Sequence, residues 1–419
     1  MITSTTSRAL LAEPRTGSKM QNWSRRVFHL LLQRLEYGRI TLVEGEQRTT
    51  FGSDEEFHVT IRVHHPAFYS RILFGGSIGA GEAYIAGYWD ASCLTTLVRI
   101  IARNSALLDA MEERLAWLTR PWHRLRHLLR PNSRTGAKQN ILAHYDLGND
   151  MYRSFLDPTM MYSAAIYPAA DSTLEEAALY KLEHVCRKLD LRPDDRVIEI
   201  GSGWGGFAIY AATHYGCHVT TTTISDAQYQ EARERIDRAG LAGRITLLKQ
   251  DYRELVGQYD KLVSLEMIEA VGHRYLPRFF AQCAALLKED GMLLLQTITI
   301  KDQLFKRYVN SVDFIQEYIF PGGCLTANRQ LLDVIAGHTD MVVRNIEDFG
   351  LDYARTLRDW RERFHASFAQ LEGQGYDERF RRLWEFYLCY CEGGFAERSI
   401  SVIQLTATRP GHRAPLPRP

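Results

Sequence analysis

From about residue 170 onward the apolar positions switch repeatedly between helical spacing and short unbroken runs, the pattern of successive strand-helix units. The predicted order is helix 174–189, strand 196–201, helix 204–215, strand 218–223, helix 227–239, strand 245–249, strand 261–266, helix 276–288 and strand 292–297. Units of this length predict an α/β fold with a doubly wound parallel sheet. Residues 302–395 are aromatic-rich and read as a mostly helical cap, and a last strand at 401–406 is expected to join the sheet edge.

The N-terminal part reads differently. Residues 1–20 are polar and without apolar period, a loose tail. Between Trp23 and Leu35 apolar residues recur at helical spacing with Arg25, Arg26 and Arg34 among them, which predicts a basic amphipathic helix, read first as one packed on a core. Alternating runs over 38–75 predict a small antiparallel sheet, and a glycine-rich stretch 74–90 leads into an apolar helix near 93–102. Residues 21–113 thus form a smaller α+β module, followed by a basic linker at 114–140, a main domain at 141–410 and a tail at 411–419.

Charge changes the picture in one place. The whole chain balances 51 Lys+Arg against 50 Asp+Glu, which removes the basic field of a dedicated nucleic-acid binder. From Arg114 to His144, however, there are seven Lys or Arg residues, no acidic ones, and Trp117 and Trp122. Such a stretch suits anionic phospholipid headgroups, since each basic side chain near that surface contributes about 1 kcal/mol and Trp prefers the interface. The longest stretch free of charged side chains, Ile200–Ser225, holds five glycines and two histidines and is no membrane span. Seven scattered cysteines without a convincing signal peptide fit a reducing cytoplasm. Cys389-x-Cys391 lacks a second pair at finger-like spacing, so no metal is expected.

The strongest motif is Glu199-Ile-Gly201-Ser-Gly203-Trp-Gly205-Gly206 at the first strand-to-helix turn, where glycines let backbone amides approach a ligand. Its spelling suits a dinucleotide or S-adenosylmethionine. A dinucleotide wants a carboxylate at the end of the second strand, yet that region reads Thr220-Thr-Thr-Thr223-Ile224-Ser225. The third strand instead ends at Asp251-Tyr252-Arg253, where Asp251 can accept from an adenine amino group and Tyr252 can flank the ring. This weighs for the methyl donor.

Five segments then follow in a characteristic order: His144–Asp150, Leu156–Ser163, Glu199–Gly206, Met267–Gly272 and Tyr318–Leu325. With them the chain resembles, over nearly its whole length, the cyclopropane-fatty-acyl-phospholipid synthases and their mycolic-acid relatives. The resemblance implies a class I methyltransferase sheet with a helical acyl-chain cap, acting from the cytoplasm at the inner membrane face. The implied reaction carries a methyl from S-adenosylmethionine to the cis double bond of a phospholipid acyl chain. The resulting carbocation must be kept dry and lose a proton to close a cyclopropane, which calls for an aromatic-rich pocket.

Carried over residue by residue, the donor site comprises Tyr162, Ser163, Glu199, Gly201, Gly203, Gly205, Thr223, Ile224, Gln228, Asp251, Tyr252 and Arg253, with Gln228 doing at the ribose what an acidic residue does elsewhere. The segment at His144–Asp150 resembles one that folds over the cofactor. For the deprotonation, the resemblance implies a bicarbonate ion held by Glu269, Tyr318, the backbone at Ile298, and positions 164 and 296. Two of these depart: the expected Cys is Ala164 and the expected His is Gln296, while Ala270 replaces a His after the Glu. Ala164 still offers its backbone N–H, but Gln296 cannot carry an imidazolium charge. Ring closure, a methylated or methylene-bearing chain, and a lipid-binding protein with a decayed base all stay open, as does a homodimer.

Overall fold

The computed structural model describes residues 18–104 and 148–416, which fall into two compact units. The tail before residue 18, the basic stretch 114–138 and His144 lie outside the described residues.

In the first unit, helix α1 (Lys19–Leu32) opens on a capping box between Ser18 and Gln21, a signal placed inside the expected tail. Strands β1 (Arg39–Glu44), β2 (Gln47–Gly52), β3 (His58–Val63) and β4 (Trp89–Ala91) form a sheet in the order β2-β1-β3-β4. The sheet is mixed and not antiparallel as expected, because β1 and β3 pair in parallel. The glycine-rich stretch is mostly helical: α2 (Ala67–Ile85) runs through it with a kink at Gly76, whose φ is 54°. Helix α3 (Leu94–Arg103) follows.

The second unit begins with the short α4 (Asn149–Arg153) and with α5 (Leu174–Lys188), which is entered through a Thr173/Glu176 capping box. Then come β5 (Arg196–Ile200), α6 (Gly206–Tyr215), β6 (His218–Thr223), α7 (Asp226–Arg238), β7 (Ile245–Lys249), β8 (Tyr259–Leu265), α8 (Leu276–Leu286) and β9 (Leu287–Ile300). Helices α9 (Asp302–Tyr308) and α10 (Asn328–His338), strand β10 (Val342–Asp348), helices α11 (Gly350–Glu372) and α12 (Glu378–Ala396), and strand β11 (Ile400–Thr408) complete it. The seven strands lie in the order β10-β11-β9-β8-β5-β6-β7, with β5 to β9 parallel to one another.

Two expectations are corrected. The strand at 401–406 is not the edge: β11 lies between β9 and β10, antiparallel to both. The edge strand β10 sits within the supposedly helical 302–395 region. Its sequence, Val-Val-Arg-Asn-Ile-Glu-Asp, is mostly exposed, and charged edge strands of this kind carry little apolar signal. Sheet β5 to β9 is covered on both faces, by Phe279, Phe280 and Leu331 on one side and by Leu182, Phe207 and Ala211 on the other. That is why its central strands hold apolar residues on both faces, as in Val197-Ile198 and Leu293-Leu294-Leu295.

Candidate active site

The chain runs from β5 outward to β7 and then returns to β8 on the far side of β5. This reversal makes a crevice at the carboxyl ends of β5 and β8, the usual ligand position in such sheets. Gly201 and Gly203 border it with φ of 99° and 51°, values that side chains rarely adopt. A Cβ on Gly201 would lie 2.9 Å from Met267 Cβ and Cγ, whereas one on Gly203 would meet nothing within 4 Å. The turn therefore presses on the β8 side and offers bare backbone to open space. Gly205, also left-handed, caps α6. This cradle fits S-adenosylmethionine. Gly201→Ala is expected to weaken S-adenosylhomocysteine binding about tenfold or more, roughly 1.4 kcal/mol, by calorimetry; unchanged affinity would take the turn out of the site.

The other expected donor residues stand at the same sheet edge. Thr223 Oγ1 donates to Gln228 Oε1 at 2.8 Å, with Ser225 capping α7 and Ile224 half-buried between them. Tyr252 packs edge-on against Phe279 at 5.3 Å. Asp251 does not present a free carboxylate: its Oδ1 accepts from the Arg253 backbone N–H at 3.0 Å and from Arg253 Nε at 2.8 Å. Glu199 faces inward, accepting from Thr221 Oγ1 at 2.5 Å, so it braces β5 against β6 instead of lining the turn. Burial pushes its carboxyl up to about 7, against the pull of Thr221 and Lys181. Ser163 Oγ likewise points inward and accepts from buried Lys181 Nζ at 2.9 Å.

Tyr162 stands in an aromatic cluster. Its hydroxyl shares a 2.8 Å hydrogen bond with Tyr387, and its ring lies 5.3 Å from Tyr152 and Trp360 and 6.2 Å from Phe155 and Phe320. Rings from α4, α11 and α12 thus converge on one residue of the donor segment, a dry and quadrupole-rich neighbourhood suited to a cation.

Glu269 lies on a 3-10 turn, Ile268–Ala270. Its Oε1 accepts from the Ile298 backbone N–H at 2.6 Å and from Thr297 Oγ1 at 2.9 Å. Oε2 is buried and has no hydrogen-bond partner among the described residues. Burial first, and then repulsion from Glu266, push the Glu269 carboxyl up to about 7, the range of a general base at neutral pH. The Tyr318 ring lies tilted at 5.3 Å from Phe314 and is 38% exposed.

Glu266 was missed as a site residue, although a carboxylate just past the end of a parallel strand falls where ligands bind. Its φ of 52° is unusual for a residue with a side chain. Glu266 Oε1 accepts from the Ala164 backbone N–H at 2.8 Å and from Gln296 Nε2 at 2.7 Å. Gln296 is oriented by Gln404 on β11, whose Nε2 donates to Gln296 Oε1 at 3.1 Å. The groups expected to hold bicarbonate through positions 164, 296 and 298 therefore hold two carboxylates of the protein itself. They do not fit a further anion, whose donors are already engaged by these two carboxyls.

Comparisons with known proteins give the family. A family described as mycolic acid cyclopropane synthetase matches residues 132–405. The tuberculostearic acid methyltransferase UfaA1 of Mycobacterium tuberculosis is 36% identical over 371 residues, 87% of this chain and 86% of that one. The cyclopropane-fatty-acyl-phospholipid synthase of Escherichia coli K12 is 38% identical over 351 residues, 83% of this chain and 87% of its own. Among solved structures, the mycolic acid cyclopropane synthase CmaA1 complexed with SAH and CTAB is 29% identical, with a TM-score of 0.61, covering 65% of this chain and 98% of that one. With a glycine cradle and a raised carboxylate at the sheet's reversal point, the chain belongs to the mycolic acid cyclopropane synthetase family of S-adenosylmethionine-dependent methyltransferases.

Proposed function

We propose that the protein methylates the cis double bond of unsaturated phospholipid acyl chains at the inner membrane face and closes a cyclopropane ring. S-adenosylmethionine, when bound, supplies an electrophilic sulfonium methyl. The alkene's π electrons form the new carbon–carbon bond, and a carbocation remains on the acyl chain. Aromatic faces around Tyr162 stabilise that charge and exclude water. Glu269 Oε2 takes a proton from the transferred carbon, and the released C–H electron pair closes the ring.

The observation that carries this reading is Glu269: a buried carboxyl with one unpartnered oxygen, at about 7, beside the glycine cradle. It also speaks against a lipid carrier with a decayed base. Docking on the lipid surface is assigned to the basic stretch 114–138 on its charge pattern. Among the described residues no helix is long and apolar enough to cross a membrane.

A second reading is a methyl-branched alkene, formed when a neighbouring chain carbon loses the proton, or a methylene-bearing chain, formed when a hydride shifts from the methylated carbon to the cationic one and the transferred carbon then loses the proton. The departures Ala164 and Gln296 favour it, together with the 36% identity to a tuberculostearic acid methyltransferase. The test is incubation with methyl-labelled donor and vesicles of unsaturated phosphatidylglycerol and phosphatidylethanolamine, then mass spectrometry and NMR of the released fatty acids. A gain of one CH2 with cyclopropyl proton signals is expected. Olefinic methylene signals would transfer the assignment to the second reading, and unlabelled acyl chains would end both.

A further inference from the structure

Two carboxylates hang from consecutive residues of one strand. Gln296 Nε2 holds Glu266, and Thr297 Oγ1 with the Ile298 N–H holds Glu269. Leu265 pairs with Gln296 across β8 and β9, and the Glu266 backbone N–H donates to the Gln296 carbonyl at 2.8 Å, so Glu266 is tied to Gln296 at both ends. The two differ in what they can do. Glu266 has donors on it from Ala164, Gln296 and Tyr353, and buried Lys181 lies near; burial pushes its carboxyl up, and these groups, which favour the charged form, pull the other way. Glu269 has one oxygen without a partner. A strained backbone at Glu266 is retained only where the surroundings over-determine it, and here three elements do so.

We propose that Glu266 is a resident anion that takes the place of a diffusible one: its carboxylate occupies the donors at Ala164 and Gln296 and leaves Glu269 Oε2, the oxygen without a partner among the described residues, as the proton acceptor. This rests on the acyl-chain reading of the site. The balance is complete without a further reagent: the cation loses H+, Glu269 becomes neutral, and the C–H electron pair forms the last carbon–carbon bond. Glu266 exchanges no proton in this step and acts through Glu269, as a positioning residue. The groups facing the pair are Lys181 from α5 and Tyr353 from α11 at Glu266, and the Cys324 thiol, with His273 3.9 Å behind it, at Glu269.

The test compares wild type, Glu266→Gln and Glu266→Gly in buffer freed of carbon dioxide, with phospholipid vesicles. Glycine suits the φ of 52°, so the glycine variant keeps the fold, which its melting temperature checks. Wild type is expected to turn over equally with and without added bicarbonate. Glu266→Gln is expected to shift the acid limb of kcat down by about one pH unit, because Glu269 loses a repelling neighbour. Glu266→Gly is expected to lose about a hundredfold in turnover and to recover with bicarbonate or formate. A readout independent of activity is the 13C NMR line of labelled bicarbonate, expected to broaden with Glu266→Gly and to stay sharp with wild type. A wild type that needs bicarbonate, or that binds it as well as the glycine variant does, would overturn the proposal, as would an unmoved acid limb. If no enzyme form labels acyl chains, the acyl-chain reading fails, and the NMR comparison still decides whether Glu266 fills the anion seat.

Discussion

Glu269→Gln is expected to lower kcat by about 10³-fold, within the range a positioned general base contributes, while S-adenosylhomocysteine binds as tightly as to the unaltered protein. The amide nearly matches the carboxylate in shape, and its oxygen can still accept from the Ile298 N–H and Thr297 Oγ1 that now hold Oε1. What is lost is the capacity to take up a proton. The same group sets the pH dependence: a base is active when ionised, and this carboxyl stands at about 7. The rate should therefore rise roughly tenfold per unit as pH climbs from 5 toward 7 and level off above it, against a limb near the ordinary value of about 4.3 for an exposed Glu. Calorimetry on the variant and a pH profile of kcat check both parts. Turnover within tenfold of wild type would remove Glu269 from the chemistry, and lost donor binding would make it structural.

Lys181→Met is expected to lower folding stability by about 3–5 kcal/mol, the cost of stripping a buried charge of its partner. Lys181 is fully buried, bonded to Ser163, and lies near Glu266, Asp157 and Glu199. Burial pushes its ammonium down to about 8, with the three carboxylates pulling the other way, so at pH 7 it remains the cation among them. Methionine fills similar volume and leaves those carboxylates without their cation. The loss should be larger at pH 7 than at pH 5, since at pH 5 Glu199, which stands at about 7, is already neutral. Urea unfolding at the two pH values measures this, with Leu182→Ala as a core control at about 2–5 kcal/mol. A loss under about 1 kcal/mol would show that the cation does not hold this network together.

Much of the fold is legible in the sequence. The alternation of short strands with helices from residue 170 onward predicts a parallel sheet, and the glycines after Glu199 mark the place where such a sheet leaves its carboxyl edge open. Gly201 and Gly203 border the crevice at the carboxyl end of β5, as the glycine motif suggests. The misreadings share a cause, which is that side-chain direction and pairing partner are not periodic quantities. Asp251 is expected to accept from an adenine amino group, and the structure adds that a short turn folds Arg253 back onto it. Glu199 was read with the glycine turn, yet strand alternation points it at Thr221. Strand β10 passed for helix because its exposed, charged side chains carry no apolar stripe.

Motifs in the sequence, then, set the class of enzyme: the glycines at a strand end and Asp251-Tyr252-Arg253 weigh for a methyl donor, and five segments in order resemble one family, which implies the acyl-chain chemistry. Tertiary structure decided which groups are free to act. Only the antiparallel register of β11 on β9 sets Gln404 against Gln296 and turns its amide toward Glu266. Only the packing of α5 behind the sheet places the Lys181 charge near three carboxylates that lie far apart in the chain. The reason is physical: a carboxylate's charge state depends on the donors and charges within a few ångströms, and those neighbours come together only when distant strands pair.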